Sequence, residues 1–200
     1  MIKILLIRHA MTDSAGKKLS GRLACLPLNN EGRQQAQALA NRLKGYPVSA
    51  IYSSPLDRAR ETAEYLAQAL NLTYLMSDDF MEFDFGKWTN KVIDELKDDD
   101  TFRRFNVFRS STRAPEGELM LEAQMRIVTG LEKLHHLYPG KTIAVVSHAD
   151  ILKSALLYYL GMPLDFIHRL EISPASVSIL ELYDDNVRIS LLNDTGSLKL

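Results

Sequence analysis

The sequence has almost no cysteine and no long apolar run. Cys25 is the only cysteine among 200 residues, which excludes an intramolecular disulfide and a cysteine-built zinc site. So few thiols favour a reducing compartment, and Cys25 itself is interpreted as a small buried apolar side chain. No apolar stretch approaches the roughly 20 residues that span a bilayer, and the opening run is too short for a signal-peptide core. We therefore expect a cytoplasmic protein that does not bind membranes.

The sequence also lacks an excess of charge of either sign. The formal net charge is −1 and 24% of the residues are charged, so no global field attracts nucleic acid or an anionic membrane. With 46% hydrophobic residues, the chain can bury a sizeable core and is not expected to be disordered. Its length allows one large α/β domain or two small ones, and we predict a single domain over residues 1–200.

Two buried-strand patterns carry polar side chains at their ends. Residues 4–7 and 142–146 are largely apolar runs, as expected for strands covered on both faces of a parallel sheet. The first run leads into Arg8 and His9, and the second into Ser147-His148. A core strand has no local use for such side chains, so this edge of the sheet is predicted to hold a ligand site.

Helical spacing between the strands predicts an alternating α/β chain. One helix is predicted to begin with Asn30 as its N-cap and to stop at Gly45. The next is predicted to be capped by Ser54, with Pro55 in its first turn. Two further helices, two short strands and a C-terminal hairpin are predicted at residues 121–138, 150–160, 49–52, 72–76, and 177–183 with 187–192.

Residues 78–115 are polar and irregular, and we interpret them as a cover segment over the site. Inside this segment, aromatic and basic residues alternate at a spacing that predicts a short amphipathic helix, with a solvated basic face over a small satellite core. Trp88 and Arg113 are likewise interpreted as ordinary core and surface positions rather than ligand contacts. The alternating residues are Phe102, Phe105 and Phe108 with Arg103, Arg104 and Arg109.

The predicted topology gathers basic side chains at one edge, because right-handed crossovers put the carboxyl ends of parallel strands together. Arginine's planar fork suits the geometry of phosphate, and a neutral imidazole is a nucleophile that can carry a phosphoryl group. An alkoxide leaving group needs a proton, for which Glu82 and Asp84 are the candidate donors. The basic residues at this edge are Arg8, His9, Arg58 and His148.

Residues 6–12, Leu-Ile-Arg-His-Ala-Met-Thr, resemble the Arg-His-Gly-x-Thr motif of the histidine phosphatase superfamily, also called phosphoglycerate mutase-like. Residues 27–36, 53–63, 82–88 and 146–148 resemble further family motifs in the same order. The resemblance implies a three-layer α/β fold with a mostly parallel central sheet and helices on both faces. It also implies hydrolysis without a metal or organic cofactor. The implied roles are nucleophile for His9, phosphate binding for Arg8, Arg58 and His148, and proton donation for Glu82, with Asp84 in reserve.

The sequence departs from the family pattern at three positions. Ala10 replaces the usual glycine, a small change that we expect to be sterically tolerable. Ala15 stands where many relatives carry an asparagine that contacts phosphate, and Cys25 stands where they commonly carry aspartate. We predict that the hydroxyl of Thr12 or Ser14 contacts the substrate in place of that asparagine.

The leading hypothesis is a phosphatase that acts on a small phosphorylated metabolite, in which water resolves phosphorylated His9. Two alternatives stay open: a mutase that returns the phosphoryl group to its substrate, and a catalytically silent phospho-ligand binding module. Relatives in the mutase branch usually have more helical material between the proton donor and the second histidine than residues 89–115 supply here, so length favours hydrolysis. The intact set of site residues argues against a silent module.

Two further predictions concern the surface. His135 and His136 are adjacent on a helix, so they are predicted to point in different directions, to offer no metal pair and to lie at the surface. The C-terminal hairpin offers a strand edge through which two copies can pair, and a homodimer stays open.

Overall fold

The computed structural model describes residues 1–196 and has a six-stranded mixed sheet at its centre. Four neighbouring strands run parallel, and the C-terminal hairpin joins them antiparallel. In spatial order the strands are β3 (Tyr74–Met76), β2 (Val48–Ser53), β4 (Thr142–Ser147), β1 (Ile2–Arg8), β5 (Val177–Leu182) and β6 (Val187–Asp194).

Helices connect most of the strands and cover the sheet. None of the helices among residues 1–196 is long and apolar enough to cross a membrane. Short 3-10 turns occupy Asp78–Phe80, Gly86–Trp88, Ile93–Leu96 and Leu164–Arg169. The α-helices of the described chain are α1 (Asn30–Leu43), α2 (Asp57–Leu70), α3 (Asp100–Val107), α4 (Met120–Leu137) and α5 (Ala149–Tyr159).

Both faces of the sheet are buried. Successive side chains of a strand point to opposite faces: Ile4 and Leu6 pack in an apolar cluster with α4 and α5, whereas Leu5 and Ile7 pack in a second cluster with α1 and α2. A strand covered on both faces has to be apolar at every position, which explains the continuous run in β1. The predicted three-layer α/β fold with a mostly parallel sheet is confirmed.

The first turns of α1 and α2 lie close to the predicted positions but are capped differently. Asn29 rather than Asn30 caps α1, because its side chain accepts a hydrogen bond from Gly32 N at 2.8 Å. Helix α2 begins at Asp57 and has no side-chain cap, so the prediction that Ser54 caps it is wrong. The hydroxyl of Ser54 lies 2.7 Å from the Nε2 atom of His148 instead.

The cover segment contains three 3-10 turns and α3, which is the predicted amphipathic helix. Phe102 and Phe105 belong to the main apolar cluster together with Trp88, whose ring centroid lies 5.2 and 5.3 Å from theirs. The prediction of a separate satellite core is therefore wrong, because the aromatic side chains pack continuously into the core beneath the sheet. Phe108 is exposed, and it belongs neither to the main apolar cluster nor to a separate satellite core.

The basic side chains of the cover segment are only partly solvated. Arg103 and Arg104 are exposed, as predicted. Arg109 is only 5% exposed, with its guanidinium carbon 4.1 Å from the ring centroid of Phe105. Its assignment to a solvated face is wrong because it forms an ion pair with Asp150 of α5, at 2.9 Å.

The cover segment is joined by backbone hydrogen bonds to the long loop of residues 10–30. Leu19 N donates to Lys91 O at 3.0 Å, and Asn90 N donates to Leu19 O at 2.7 Å. Ile93 N donates to Lys17 O at 3.0 Å. The loop and the cover segment therefore form one continuous wall beside the carboxyl ends of β1 and β4.

Three side chains lie differently from their predictions. Cys25 is exposed, on a backbone with φ of 56°, so its interpretation as a buried side chain is wrong. The rings of His135 and His136 stack, with centroids 5.7 Å apart and 13° between their planes, so they do not point apart. The side chain of His135 is largely buried, and its Nε2 atom lies 3.3 Å from Oδ1 of Asp184 in the hairpin turn. His136 is exposed.

The C-terminal hairpin supplies one edge of the sheet. Strand β6 is the outermost strand on that side, and Leu191 and Leu192 on it are exposed. The strand edge through which two copies can pair is therefore present, and a homodimer stays open.

We predict that Gly32→Ala destabilises the fold and displaces the backbone beyond His9. A β-carbon at Gly32 meets the carbonyl oxygen of Met11 at 2.0 Å, and Met11 is itself held by Gln35, whose Oε1 accepts from Met11 N at 3.0 Å. The free energy of unfolding in urea should fall by about 1–3 kcal/mol, as for an overpacked core. Gln34→Ala, at an exposed position of the same helix, is the control; equal stability of the two variants would contradict the prediction.

Candidate active site

His9 and His148 follow neighbouring parallel strands at the same level of the sheet. Arg8 of β1 is in register with Ser147 of β4, and His9 N donates to Ser147 O at 2.9 Å. The two buried imidazole rings therefore lie side by side, with their centroids 5.1 Å apart.

The backbone determines which nitrogen of His9 carries the proton. His9 Nδ1 lies 2.8 Å from the carbonyl oxygen of Ala10, and a carbonyl oxygen can only accept, so Nδ1 is the donor. Burial, followed by the positive charges of Arg58 and Arg8, holds the pKa of His9 well below its usual value. The ring is therefore neutral and presents the lone pair of Nε2 to the site, where Arg58 Nε donates to it at 3.3 Å.

Arg58 is a buried cation and Arg8 a half-buried one, and backbone carbonyl groups hold both. Arg58, in the first turn of α2, is 1% exposed and donates from Nη2 to Gly21 O at 2.7 Å. Arg8 donates from Nη1 to Ile172 O at 2.6 Å. Arg8 Nε and Arg58 Nη1 are buried without a protein acceptor. Because buried charged donors require acceptors, these two N–H groups suit the oxygens of a bound anion.

His148 is fully buried between Ser54 and Glu82. Its Nε2 atom bonds to Ser54 Oγ at 2.7 Å, whereas Nδ1 lies 3.7 Å from Glu82 Oε2 and makes no hydrogen bond. Burial, then the charge of Arg58, holds the pKa of His148 well below its usual value. Nδ1 of a neutral ring is therefore the atom that a ligand in the site can bind.

Glu82 lies in the extended stretch of residues 81–85, facing the histidines. Its side chain is 12% exposed. Burial, then the negative charge of Asp150, raises the pKa of Glu82 to about 7 in spite of the opposing charge of Arg58. A carboxyl group with this pKa keeps a proton near neutral pH and can give it to a leaving group.

Asp84, the reserve candidate, is directed away from this point. Its Oδ1 atom accepts from Gly86 N at 2.9 Å, and its Oδ2 atom lies 3.8 Å from Arg22 Nη1. Asp84 is not among the residues that line the site cavity. The structure therefore favours Glu82 over Asp84 as the group that meets a bound ligand.

A cavity of about 220 Å³ is lined by Arg8, His9, Arg58 and Glu82, whereas the fully buried His148 lies outside its lining. A larger cavity, about 600 Å³, lies between α1 and residues 173–175 but has no histidine or carboxylate in its lining. The side chains that line the smaller cavity, and not its volume, therefore identify it as the candidate active site. Its lining includes Arg8, His9, Thr12, Ala15, Lys18, Ser20, Arg58, Glu82, Phe85, Ile93 and Asp150.

The two predicted hydroxyl contacts are placed differently. Thr12 lines the cavity, as does Ala15, but Ser14 does not. Ser14 Oγ instead bonds to Thr12 Oγ1 at 3.2 Å and to Ser20 Oγ at 2.7 Å. Ser14 therefore holds two hydroxyl groups that do face the cavity, one of which, on Ser20, was missed in the sequence.

Asp150 and Lys18 are charged residues of the cavity that sequence reasoning missed; Asp150 is the one that acts on Glu82. It lies in the first turn of α5, two residues after His148, and this position was the available signal. Burial opposes its ionisation, but the charge and hydrogen bond of Arg109 outweigh burial, so the pKa of Asp150 is lowered. The cavity thus contains one ionised carboxylate, on Asp150, beside the carboxyl group of Glu82, whose pKa is raised.

No three histidine, cysteine, aspartate or glutamate side chains of residues 1–196 are grouped so that they could hold a metal ion.

Comparison with known proteins places these features in a family context. A family model described as the histidine phosphatase superfamily (branch 1) matches residues 4–195. The bifunctional protein Rv2228c of Mycobacterium tuberculosis is 35% identical over an alignment of 201 positions that covers 98% of this chain and 55% of that protein. The chain thus spans about half the length of that relative.

Two other relatives match along most of their own length. Phosphoserine phosphatase 1 of Hydrogenobacter thermophilus is 29% identical over 200 residues, covering 99% of this chain and 95% of that protein. The probable phosphoglycerate mutase GpmB of Shigella boydii is 32% identical over 181 residues, covering 89% of this chain and 84% of that protein. A mutant phosphoserine phosphatase from Entamoeba histolytica, solved in complex with phosphoserine, superimposes with a TM-score of 0.88 at 26% identity and 98% coverage of each chain.

We predict that Asp150→Asn lowers the pKa of Glu82. The substitution removes a negative charge that raises this pKa and leaves Arg109 without its partner, and both changes favour the ionised carboxylate. An NMR titration of the labelled Glu82 carboxyl carbon should give a midpoint of about 7 in the unchanged protein and a lower one in the variant. Asp165→Asn is the control, because that carboxylate binds Ser110 away from the cavity. An unchanged midpoint in Asp150→Asn would refute the prediction.

Proposed function

The chain belongs to branch 1 of the histidine phosphatase superfamily, and on that basis we propose that it hydrolyses a small phosphomonoester through a phosphohistidine intermediate. The observation that carries the proposal is the hydrogen bond from His9 Nδ1 to the carbonyl oxygen of Ala10. It leaves the Nε2 lone pair of a neutral imidazole beside the cations of Arg8, which is half-buried, and Arg58, which is buried. Nucleophilic attack on a bound phosphoryl group requires such an arrangement.

The first step transfers the phosphoryl group to His9. The Nε2 lone pair attacks phosphorus, and the bond between phosphorus and the ester oxygen breaks. Glu82 gives its proton to that oxygen, so the product leaves as a neutral alcohol and Glu82 becomes a carboxylate. The hydrogen bond from Arg58 Nε to Nε2, long at 3.3 Å, is replaced by the new nitrogen–phosphorus bond.

The second step releases inorganic phosphate. Glu82, now ionised, takes a proton from water while the water oxygen attacks phosphorus. The nitrogen–phosphorus bond breaks, its electron pair returns to His9 Nε2, and Glu82 regains the proton that it gave away in the first step. A pKa of about 7 suits both roles, since the group is neither a strong acid nor a strong base near neutrality.

The protein supplies the positive charge that the phosphoryl oxygens need. In the proposed complex, the buried N–H groups of Arg8 and Arg58 that have no protein acceptor bind phosphoryl oxygens, and His148 Nδ1 faces a further one. Two guanidinium charges match a dianionic phosphomonoester. We therefore expect activity without added metal ion or organic cofactor.

The size of the cavity favours a small substrate. Its volume of about 220 Å³ is below the roughly 300–1,000 Å³ of sites for drug-sized ligands. A phosphorylated three-carbon compound suits this volume better than a nucleotide does. Because two of the similar proteins are named phosphoserine phosphatases, phosphoserine is the first substrate to test.

Phosphoryl transfer back to the product is the second candidate, because one relative is named a probable phosphoglycerate mutase. Both reactions share the first step and differ in what attacks phosphorylated His9. Interconversion of substrate positions without phosphate release would identify a mutase, and binding without any turnover would identify a silent module.

We predict that His9→Ala abolishes phosphate release, by at least about a thousandfold, because the variant lacks the nucleophile. The measurement is inorganic phosphate released from a panel of phosphomonoesters, including phosphoserine, with a chelator and no added metal. His136→Ala, at an exposed histidine, should keep full activity. Release that persists in His9→Ala, or that the chelator abolishes in the unchanged protein, would contradict the mechanism.

We predict that Glu82→Gln lowers kcat/KM for an alkyl ester by about 10²–10⁴-fold, the usual contribution of a general acid. The loss should be much smaller for 4-nitrophenyl phosphate, because nitrophenolate leaves without a proton. In the unchanged protein, the rate with the alkyl ester should fall as the pH rises through about 7, where Glu82 loses its proton. Asp84→Asn serves as the control, and a larger loss in that variant would make Asp84 the donor.

A further inference from the structure

We propose that Arg126, together with its partner Glu118, is a positioning residue that holds the backbone of Glu82 so that its carboxyl group meets the leaving oxygen. This inference rests on the proposed function, in which Glu82 is the proton donor. Arg126 lies on α4, outside the cavity lining, and therefore acts only through the chain that carries Glu82.

The guanidinium group of Arg126 contacts four backbone carbonyl groups within residues 78–82. Arg126 Nη1 donates to the carbonyl oxygens of Asp78 at 3.1 Å, Asp79 at 3.3 Å and Met81 at 2.7 Å. Arg126 Nη2 approaches the carbonyl oxygen of Glu82 at 3.4 Å. The backbone from the first 3-10 turn to the proton donor is thus wrapped around a single side chain.

The carbonyl groups of Met81 and Glu82 depend on side-chain donors, because these two residues belong to no strand or helix and lack the partners that a sheet supplies. Arg22, from the loop after β1, adds a second donor to the Glu82 carbonyl oxygen, from Nε at 3.0 Å. Two arginines from different parts of the chain therefore converge on the carbonyl of the proton donor.

Glu118 ties the two arginines and the stretch of residues 81–85 together. Its Oε1 atom accepts from Arg22 Nη2 at 2.5 Å, and its Oε2 atom lies 3.3 Å from Arg126 Nη2. Oε2 also accepts from Asp84 N at 3.0 Å. The side chains of Glu118 and Arg126 are only 18% and 19% exposed, so water competes weakly for these bonds.

This arrangement fixes Glu82 from both sides along the chain. Backbone carbonyls before it bind Arg126, and the amide of Asp84 after it binds Glu118. General acid catalysis requires the donor to lie within hydrogen-bond distance of the leaving oxygen, and displacements of about 1 Å cost large factors in rate. Lysine at position 126 keeps the positive charge but lacks the fork that reaches several carbonyls at once.

The test compares Arg126→Lys with the unchanged protein on two esters, an alkyl phosphate such as phosphoserine and 4-nitrophenyl phosphate. A displaced Glu82 slows the transfer to His9 only for the ester whose leaving group needs the proton, and kcat/KM reports that step; the later hydrolysis of phosphorylated His9 is common to both esters. We expect kcat/KM for the alkyl ester to fall by about tenfold to a hundredfold, and kcat/KM for the aryl ester to stay within about twofold. Arg113→Lys is the matched control, since Arg113 binds Glu122 at the exposed start of α4, and it should alter neither rate.

An equal loss of kcat/KM on both esters, or no loss of kcat/KM on either, would overturn the inference. Glu118→Gln provides a second variant that should give the same selective loss, and amide hydrogen exchange of residues 78–84 should be faster in both variants than in the Arg113→Lys control. Protection that is unchanged in this stretch would also overturn it. The proposed function is tested separately by the unchanged protein, which must release phosphate from both esters in a manner that requires His9.

Discussion

The hydrogen bond from His9 Nδ1 to the carbonyl oxygen of Ala10 is the interaction on which the rest of the site depends. It directs the only N–H group of a neutral imidazole towards the backbone and leaves a lone pair on Nε2, the atom that we propose as the nucleophile. Ala10 is held in turn by α2, because Ala10 N donates to Thr62 Oγ1 at 3.1 Å and that hydroxyl donates to the Arg58 carbonyl at 2.7 Å. The first turns of α2 therefore orient the nucleophile and also supply the cation beside its lone pair.

Burial has opposite effects on the two kinds of titratable group in the site. It lowers the pKa of His9 and His148, and it raises that of Glu82. In water, glutamate would lose its proton at a lower pH than histidine; here the order is reversed, and the two histidines lose theirs at a lower pH than Glu82. Asp150 strengthens this division because Arg109 keeps it ionised next to Glu82. The cover segment keeps water away from these groups, and contact with water would return the pKa values of Glu82 and the two histidines towards their usual order.

The fold and most site candidates were predictable because they depend on short-range patterns: two apolar runs that end in basic residues, and helical spacing between them. The remainder depends on contacts between distant parts of the chain. The pair of Asp150 and Arg109 spans 41 positions and forms only when the cover segment packs on α5. Ser54 has the local signature of a helix cap, but His148 from another strand binds its hydroxyl. Cys25 is exposed, on a loop backbone with a positive φ angle, and apolar spacing in the sequence reports neither feature.

The central claim is that the Nε2 atom of His9 carries the phosphoryl group during turnover. Its most direct test is to quench the protein during turnover of a phosphomonoester, keep the digest at alkaline pH, and locate phosphohistidine by mass spectrometry and by ³¹P NMR. The account predicts a single labelled peptide that contains His9, with the phosphoryl group on Nε2 and no label on His148. Label on Nδ1 of His9, label on another residue, or steady release of phosphate without any labelled peptide under conditions that trap a phosphohistidine standard would contradict it.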